Sequence, residues 1–175
     1  MHDTRRVANL LGATALALVD GTLNGISGTT GLSGSSAAAL VVLAGSPGLG
    51  GTELGRRIGL TQSAAARLVD SLQAAGLAER SPGEGRHVSV TLTSEGRSRA
   101  RSVLEARGGT LDDAVSALDA AEQAQLASLL DKLLTRLFQG ADSAHRMCRL
   151  CDRAGCVSGA VCPVGQAERD SRAGE

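Results

Sequence analysis

The stretch from Thr52 to Thr93 constrains the chain most. It holds two short helical patterns, a tight turn between them, and a glycine-tipped hairpin after them. Thr52 is placed to cap the first helix, with Glu53 where the positive end of a helix dipole favours an acid. Leu54 and Ile58 share one face, and Gly59 supplies the left-handed residue on which a helix can stop. Thr61 then caps a second helix. Its apolar residues Ala65, Leu68, Val69 and Leu72 repeat at i, i+3, i+4 and i+7, the spacing of one buried helical face. Gln62, Ser63, Ala66, Arg67 and Asp70 fall on the other face. After Gly76 the chain returns through Leu77 to a short strand ending near Arg80. A tip follows at Ser81-Pro-Gly-Glu-Gly85, then a strand in which Val88, Val90 and Leu92 alternate with polar residues.

Two helices on so short a turn suggest a helix-turn-helix, whose second helix enters the major groove of duplex DNA. A basic hairpin beside it is placed to touch phosphates or the minor groove. Gln62, Ser63, Ala66 and Arg67 are the expected groove-facing residues, and Arg67 the expected base reader. Thr52, Thr61 and Arg80 are expected at phosphates, Arg86 at the minor groove, and His87 against the backbone. Eight arginines face five acids from Thr52 to Arg101, whereas Gly108 to His145 holds two basic residues and six acids. That contrast fits a DNA-reading lobe carried on a separate oligomerisation lobe. Aromatic residues make up 1% of the chain, with Phe138 the sole example. That excludes single-strand binding built on stacked bases. No dinucleotide fingerprint or nucleophile–base constellation points to an enzyme.

The residues Leu60-Thr-Gln-Ser, Arg67-Leu-Val-Asp, Ala75-Gly-Leu, Glu79-Arg80, Gly85-Arg86 and Leu92-Thr-Ser-Glu-Gly96 resemble the winged helix-turn-helix of the MarR transcriptional regulators. The resemblance extends over roughly Arg5 to Gln139. It departs from the family at Glu84, where an aspartate is usual, and at Ala64-Ala65-Ala66, where larger side chains are common. It implies a mainly α fold with a small antiparallel β wing, the winged domain riding on a helical dimerisation lobe. It also implies duplex DNA as partner, a homodimer whose first and last helices intertwine, and a small-molecule effector.

Five segments follow from this reading. Residues 1–30 form a dimerisation helix, 31–93 the winged domain, 94–140 further dimerisation helices, 141–166 a cysteine tail, and 167–175 a disordered end. Within the first, the apolar run Val7 to Val19 is shorter than the roughly 20 residues a membrane span needs. A cytoplasmic chain with no membrane contact is expected. Gly21 to Gly34 reads as a loop or frayed helix end, and Gly108-Gly109 as a break in the helix opened by Ser94. Asp119-Ala-Ala-Glu122 resembles a capping box, and Leu126 to Leu137 forms a broad apolar stripe.

All four cysteines, Cys148, Cys151, Cys156 and Cys162, lie in one tail with spacing C-x2-C-x4-C-x5-C. Four thiolates suit an iron–sulfur cluster or Zn2+. The run ending in Cys-Pro resembles the iron–sulfur loop of superoxide-sensing MerR-family regulators, with a different middle spacing. A metal-free thiol switch and a structural disulfide tail are the alternatives. His145 is a further candidate ligand.

Overall fold

A computed structural model describes residues 3–82 and 88–173 of the chain. Glu84, Arg86 and His87, all expected on the wing, lie outside the described residues. Asp3 accepts the Arg5 N–H at 3.1 Å and starts the first helix, α1 (Thr4–Thr30). The loop expected over Gly21 to Gly34 is a correction, because its first ten residues are the last turns of α1. The helix stops only at Gly31, with φ of 68°. Packing is the reason. A Cβ on Gly21 would lie 3.2 Å from Thr110 Cγ2, and one on Gly25 would lie 3.1 Å from Thr110 Oγ1. These glycines let α1 lie close along α5 (Ser94–Val115). Nor does α5 break at Gly108-Gly109, since the packing of α1 around Thr110 outweighs the low helix propensity of glycine there.

Ser33 caps α2 (Gly34–Gly45) by accepting the Ser36 N–H at 3.2 Å. This apolar helix is the centre of the lobe, with Ala37 to Val41 and Leu43 buried. A strand not expected from the sequence, β1 (Leu49–Gly50), follows it. Helix α3 (Gly51–Ile58) begins directly after Gly50 and has no side-chain cap. The expected cap Thr52 therefore sits inside the first turn, exposed. Gly59 ends α3 with φ of 78°, as the sequence indicates. Thr61 then caps α4 (Gln62–Ala74), accepting the Ala64 N–H at 3.3 Å. The hairpin is β2 (Ala78–Pro82) and β3 (Val88–Leu92), antiparallel with Arg80 opposite Val90 and Pro82 opposite Val88. The strand order is β1-β3-β2.

One core cluster joins α2, α3, α4, the hairpin and α5 through Leu40, Leu43, Leu54, Val69, Val90 and Ala100, each no more than 2% exposed. A second joins α1, α2 and α5 through Ile26, Ala37, Val41 and Val103. Burying side chains of this size stabilises by about 1.5–3 kcal/mol each.

Asp119 and Glu122 form the expected capping box at the start of α6 (Ala120–Leu137). No residue of α6 is buried. Leu129, Leu130, Leu133 and Leu137 are 39–59% exposed. So are Val7, Leu10, Leu11, Leu16 and Val19 on α1, at 48–69%. By length and hydropathy α1 could cross a membrane, so the expectation that this segment is too short for a span does not hold. The same helix packs along α5 and carries Asp20 mid-length.

The tail folds as α7 (Ala141–Met147), α8 (Arg153–Cys156) and α9 (Pro163–Ala173). The disordered end expected over 167–175 is thus helical to Ala173. Val164 is buried, Pro163 occupies the first turn, and Gln166–Asp170 and Glu168–Arg172 pair at i, i+4.

Candidate nucleic-acid interface and thiol cluster

Helix α4 presents two distinct faces. Ala65, Val69 and Leu72 are buried, whereas Gln62, Ser63, Ala66, Arg67 and Asp70 are exposed together. The turn before α4 is tight because Leu60 N–H donates to Gly55 O at 2.8 Å. It sets α4 across α3, where a Cβ on Gly55 would lie 2.6 Å from Ala65 Cβ. Thr61 spends its oxygen on the cap, and its hydroxyl lies 3.3 Å from Ser63 Oγ.

The arginines divide by their partners. Arg56 and Arg57 both bind Glu53, with N–O distances of 2.7 Å. Those bonds, Arg56's first, hold the Glu53 carboxyl down at about 2 against the usual 4.5. Arg97 donates to Leu92 O at 2.6 Å and Arg99 to Thr30 O at 3.2 Å. Arg80 is held by Asp70 at 2.7 Å and by Gln73, which ties the base of the wing to α4. Among the described residues Arg67 makes no ion pair or hydrogen bond, and it is exposed on the outer face of α4. The two carboxylates in sequence reach of Arg67, Asp70 and Glu53, are thus both bound to other arginines.

The tail is seated on this lobe. Arg56 pairs with Asp142 of α7, and its guanidinium lies 3.5 Å from His145 Nδ1. Leu150 packs against both core clusters, and Ala144 is buried. The sequence carries no signal for this docking. The Glu53-Arg56-Arg57 spacing that organises the near side of it was readable as an i, i+3, i+4 pattern.

A cavity of about 330 Å³ lies between the tail and the ends of α2 and α3. All four cysteines line it, with His145 and Arg57. The thiols are free, and neighbouring thiols act on one another's ionisation. The Cys151 thiol beside it holds Cys148 below the ordinary thiol range. Cys148, then burial, pushes Cys151 up. Burial, then charge at Cys151 and Cys162, pushes Cys156 up to about 11. Burial first, then Arg57 and Arg56, lowers the His145 pKa. Among the described residues no three His, Cys, Asp or Glu side chains already stand arranged to hold a metal ion.

A second cavity, of about 510 Å³, opens beside the turn between α3 and α4. Arg146 and Arg149 line it together with Leu23, Ile58, Leu60 and Leu150.

Helix, tight turn, helix with one polar outer face, and an antiparallel hairpin define a winged helix-turn-helix protein. Residues 30–87 match the sequence model of the MarR family. The Mycobacterium tuberculosis MarR family protein Rv2887 is 26% identical, with a TM-score of 0.61 over 75% of this chain and 96% of its own. Bacillus subtilis YusO, at 23% identity and a TM-score of 0.65, covers 76% of this chain and 96% of its own. MepR, a Staphylococcus aureus regulator of the multidrug efflux pump MepA, shares 17% identity and a TM-score of 0.66, covering 75% and 98%. The last two speak for the fold. Structures of Rv2887 exist in complex with DNA and with salicylic acid. No curated protein matches the sequence significantly. Over residues 30–87 the chain thus resembles the MarR family of transcriptional regulators. Since these relatives are almost wholly covered while matching 75–76% of this chain, about a quarter of it has no counterpart in them.

Proposed function

We propose that the chain is a homodimeric transcriptional regulator that reads duplex DNA with α4. The observation that carries this reading is Arg67, exposed beside Gln62, Ser63 and Ala66 on the outer face of α4, with its neighbouring carboxylates engaged elsewhere. Burying α4 by Ala65, Val69 and Leu72 fixes which side chains point outward. An unpaired guanidinium on that face can bond guanine in two places. The small side chains Ala64 and Ala66 leave few other readers, so much of the affinity comes from phosphate contacts, with the salt dependence such contacts bring.

The dimer reading rests on the apolar stripes of α1 and α6. Together they expose nine large aliphatic side chains at 39% or more of their surface. A second copy of the same helices would cover them and place two α4 helices on one side of the duplex, about 34–36 Å apart. Such a regulator works in the cytoplasm, where its DNA lies. Titrating the full chain against a labelled operator duplex, at several salt concentrations, tests the reading. Expected is saturable binding of one dimer per near-palindrome, weakening as salt rises. Binding no tighter than to a scrambled duplex refutes it.

The salicylic acid complex of Rv2887 supports a small-molecule effector as well. The second cavity joins two guanidinium groups to aliphatic walls, a lining that suits an aromatic carboxylate. Calorimetry with salicylate on the Arg146→Ala/Arg149→Ala variant and the unaltered chain would decide whether that cavity is used.

A further inference from the structure

The C-terminal segment cannot hold itself together by its own core. Of residues 141–173 only Ala144 and Val164 are buried. Helix α7 has seven residues and α8 has four, and helices this short do not persist in water unaided. Segments of this size need a covalent or metal staple. The chain supplies four thiols, all in this segment, and the fold turns all four into one cavity. They arrive from four separate places: the C-terminal end of α7, the turn after it, the end of α8, and the residue before α9.

We propose that Cys148, Cys151, Cys156 and Cys162 are the four thiolate ligands of one thiophilic metal centre, which clamps the C-terminal segment onto α2 and α3. The surroundings suit sulfur that carries charge. Gly165 N–H donates to Cys162 Sγ at 3.4 Å, the kind of bond that steadies a ligating thiolate. Arg57 and Arg153 line the same cavity and offset the negative charge of a tetrathiolate. His145 lines it with its Nδ1 facing Arg56 at 3.5 Å, leaving its other nitrogen as a reserve ligand. Tetrathiolate sites accept Zn2+ or an iron–sulfur cluster, and the two share this donor set.

The clamp bears on the DNA-reading lobe directly. The cavity wall includes Val41 and Val42 of α2 and Arg57 of α3, and α7 meets α3 through Asp142 and Arg56. Loading the centre therefore sets how firmly the tail holds the helix that precedes α4. That consequence for operator affinity rests on the DNA reading above; the metal centre itself does not.

The test uses the full chain purified without oxygen. Zinc, iron and acid-labile sulfide are measured per chain, and the visible absorption spectrum is recorded. Expected is about one zinc, or one cluster with its charge-transfer bands, per four thiolates. Cys151→Ser and Cys156→Ser should each lower the content about tenfold, and proteolysis should then cut within 141–173. Circular dichroism confirms that the remaining helices are intact in these variants. Less than a tenth of a metal per chain, after both zinc addition and iron–sulfur reconstitution, overturns the proposal. So does a metal-free chain in which a hydroperoxide converts Cys148 and Cys151 to a reversible disulfide, for then the segment is a dithiol switch. Operator binding is measured on loaded and chelator-stripped protein in parallel. A difference of tenfold or more supports the clamp, and equal affinity refutes its regulatory consequence. Loaded protein that ignores DNA altogether refutes the DNA reading while leaving the metal centre standing.

Discussion

Gly55 of α3 and Ala65 of α4 meet so closely that a Cβ added to Gly55 would stand 2.6 Å from the Ala65 methyl. That separation is below any real carbon contact, and the crossing of the two helices depends on it. Gly55→Ala should therefore destabilise the winged lobe by about 1–3 kcal/mol, the range for overpacking a core. The reciprocal change Ala65→Gly in the same chain should recover part of the loss. Urea unfolding of the two variants checks this. Gly96→Ala should be worse, because its Cβ would lie 1.9 Å from Leu77 O, a backbone atom with little freedom to yield.

Arg67→Ala should weaken operator binding by about 1–3 kcal/mol and relax the preference at one base pair, with the fold unchanged. Arg80→Ala should act differently. Its guanidinium is bound to Asp70 and Gln73, so its loss should loosen the wing and lower affinity for all duplexes alike. Binding to single-base operator variants separates the two patterns.

Glu53 gives a pH signature. Its carboxyl titrates at about 2 in the folded chain, against 4.5 when free. A carboxyl lowered on folding adds stability above its unfolded value, and that share is lost as pH falls through the folded one. Stability should thus decline between pH 4.5 and about 2, and Glu53→Gln should flatten that part of the profile. The pairs are a third exposed, so the effect at pH 7 should stay below about 1 kcal/mol. Denaturant midpoints across that window provide the measurement.

Leu133→Asp on α6, or Leu16→Asp on α1, should shift the chain from dimer toward monomer. Both side chains are exposed in a single protomer, at 39% and 69%, so neither change removes a core contact within it. Sedimentation equilibrium reads the mass directly. In the unaltered protein the melting temperature should rise with concentration, as mass action requires of a dimer.

Much of this architecture is legible before any coordinates. The i, i+3, i+4, i+7 pattern from Ala65 to Leu72 located the buried side of α4, and Gly59 and Thr61 marked the turn before it. The Asp119–Glu122 box located α6. What was illegible depends on long-range contact. Gly21 and Gly25 read as loop residues because their role is to admit Thr110 of a helix about 85 positions away. Gly108 and Gly109 read as a break because local propensity says nothing of α1 packed alongside. Strand β1 is two residues long and exists only by pairing with β3. The docking of the tail on α3 has the same character: Arg56 and Asp142 meet in space with no periodicity to announce it.

Thr93 caps α5 by accepting the Gly96 N–H at 3.0 Å, while its hydroxyl donates to Gly76 O at 2.7 Å. One side chain thus bolts the far end of α4 to the root of the long helix α5. The two cannot pivot independently, so a tilt where α5 leaves the lobe is carried to α4. For the dimer proposed above, the spacing of the two α4 helices is then a lever-arm quantity, with a single threonine at its fulcrum.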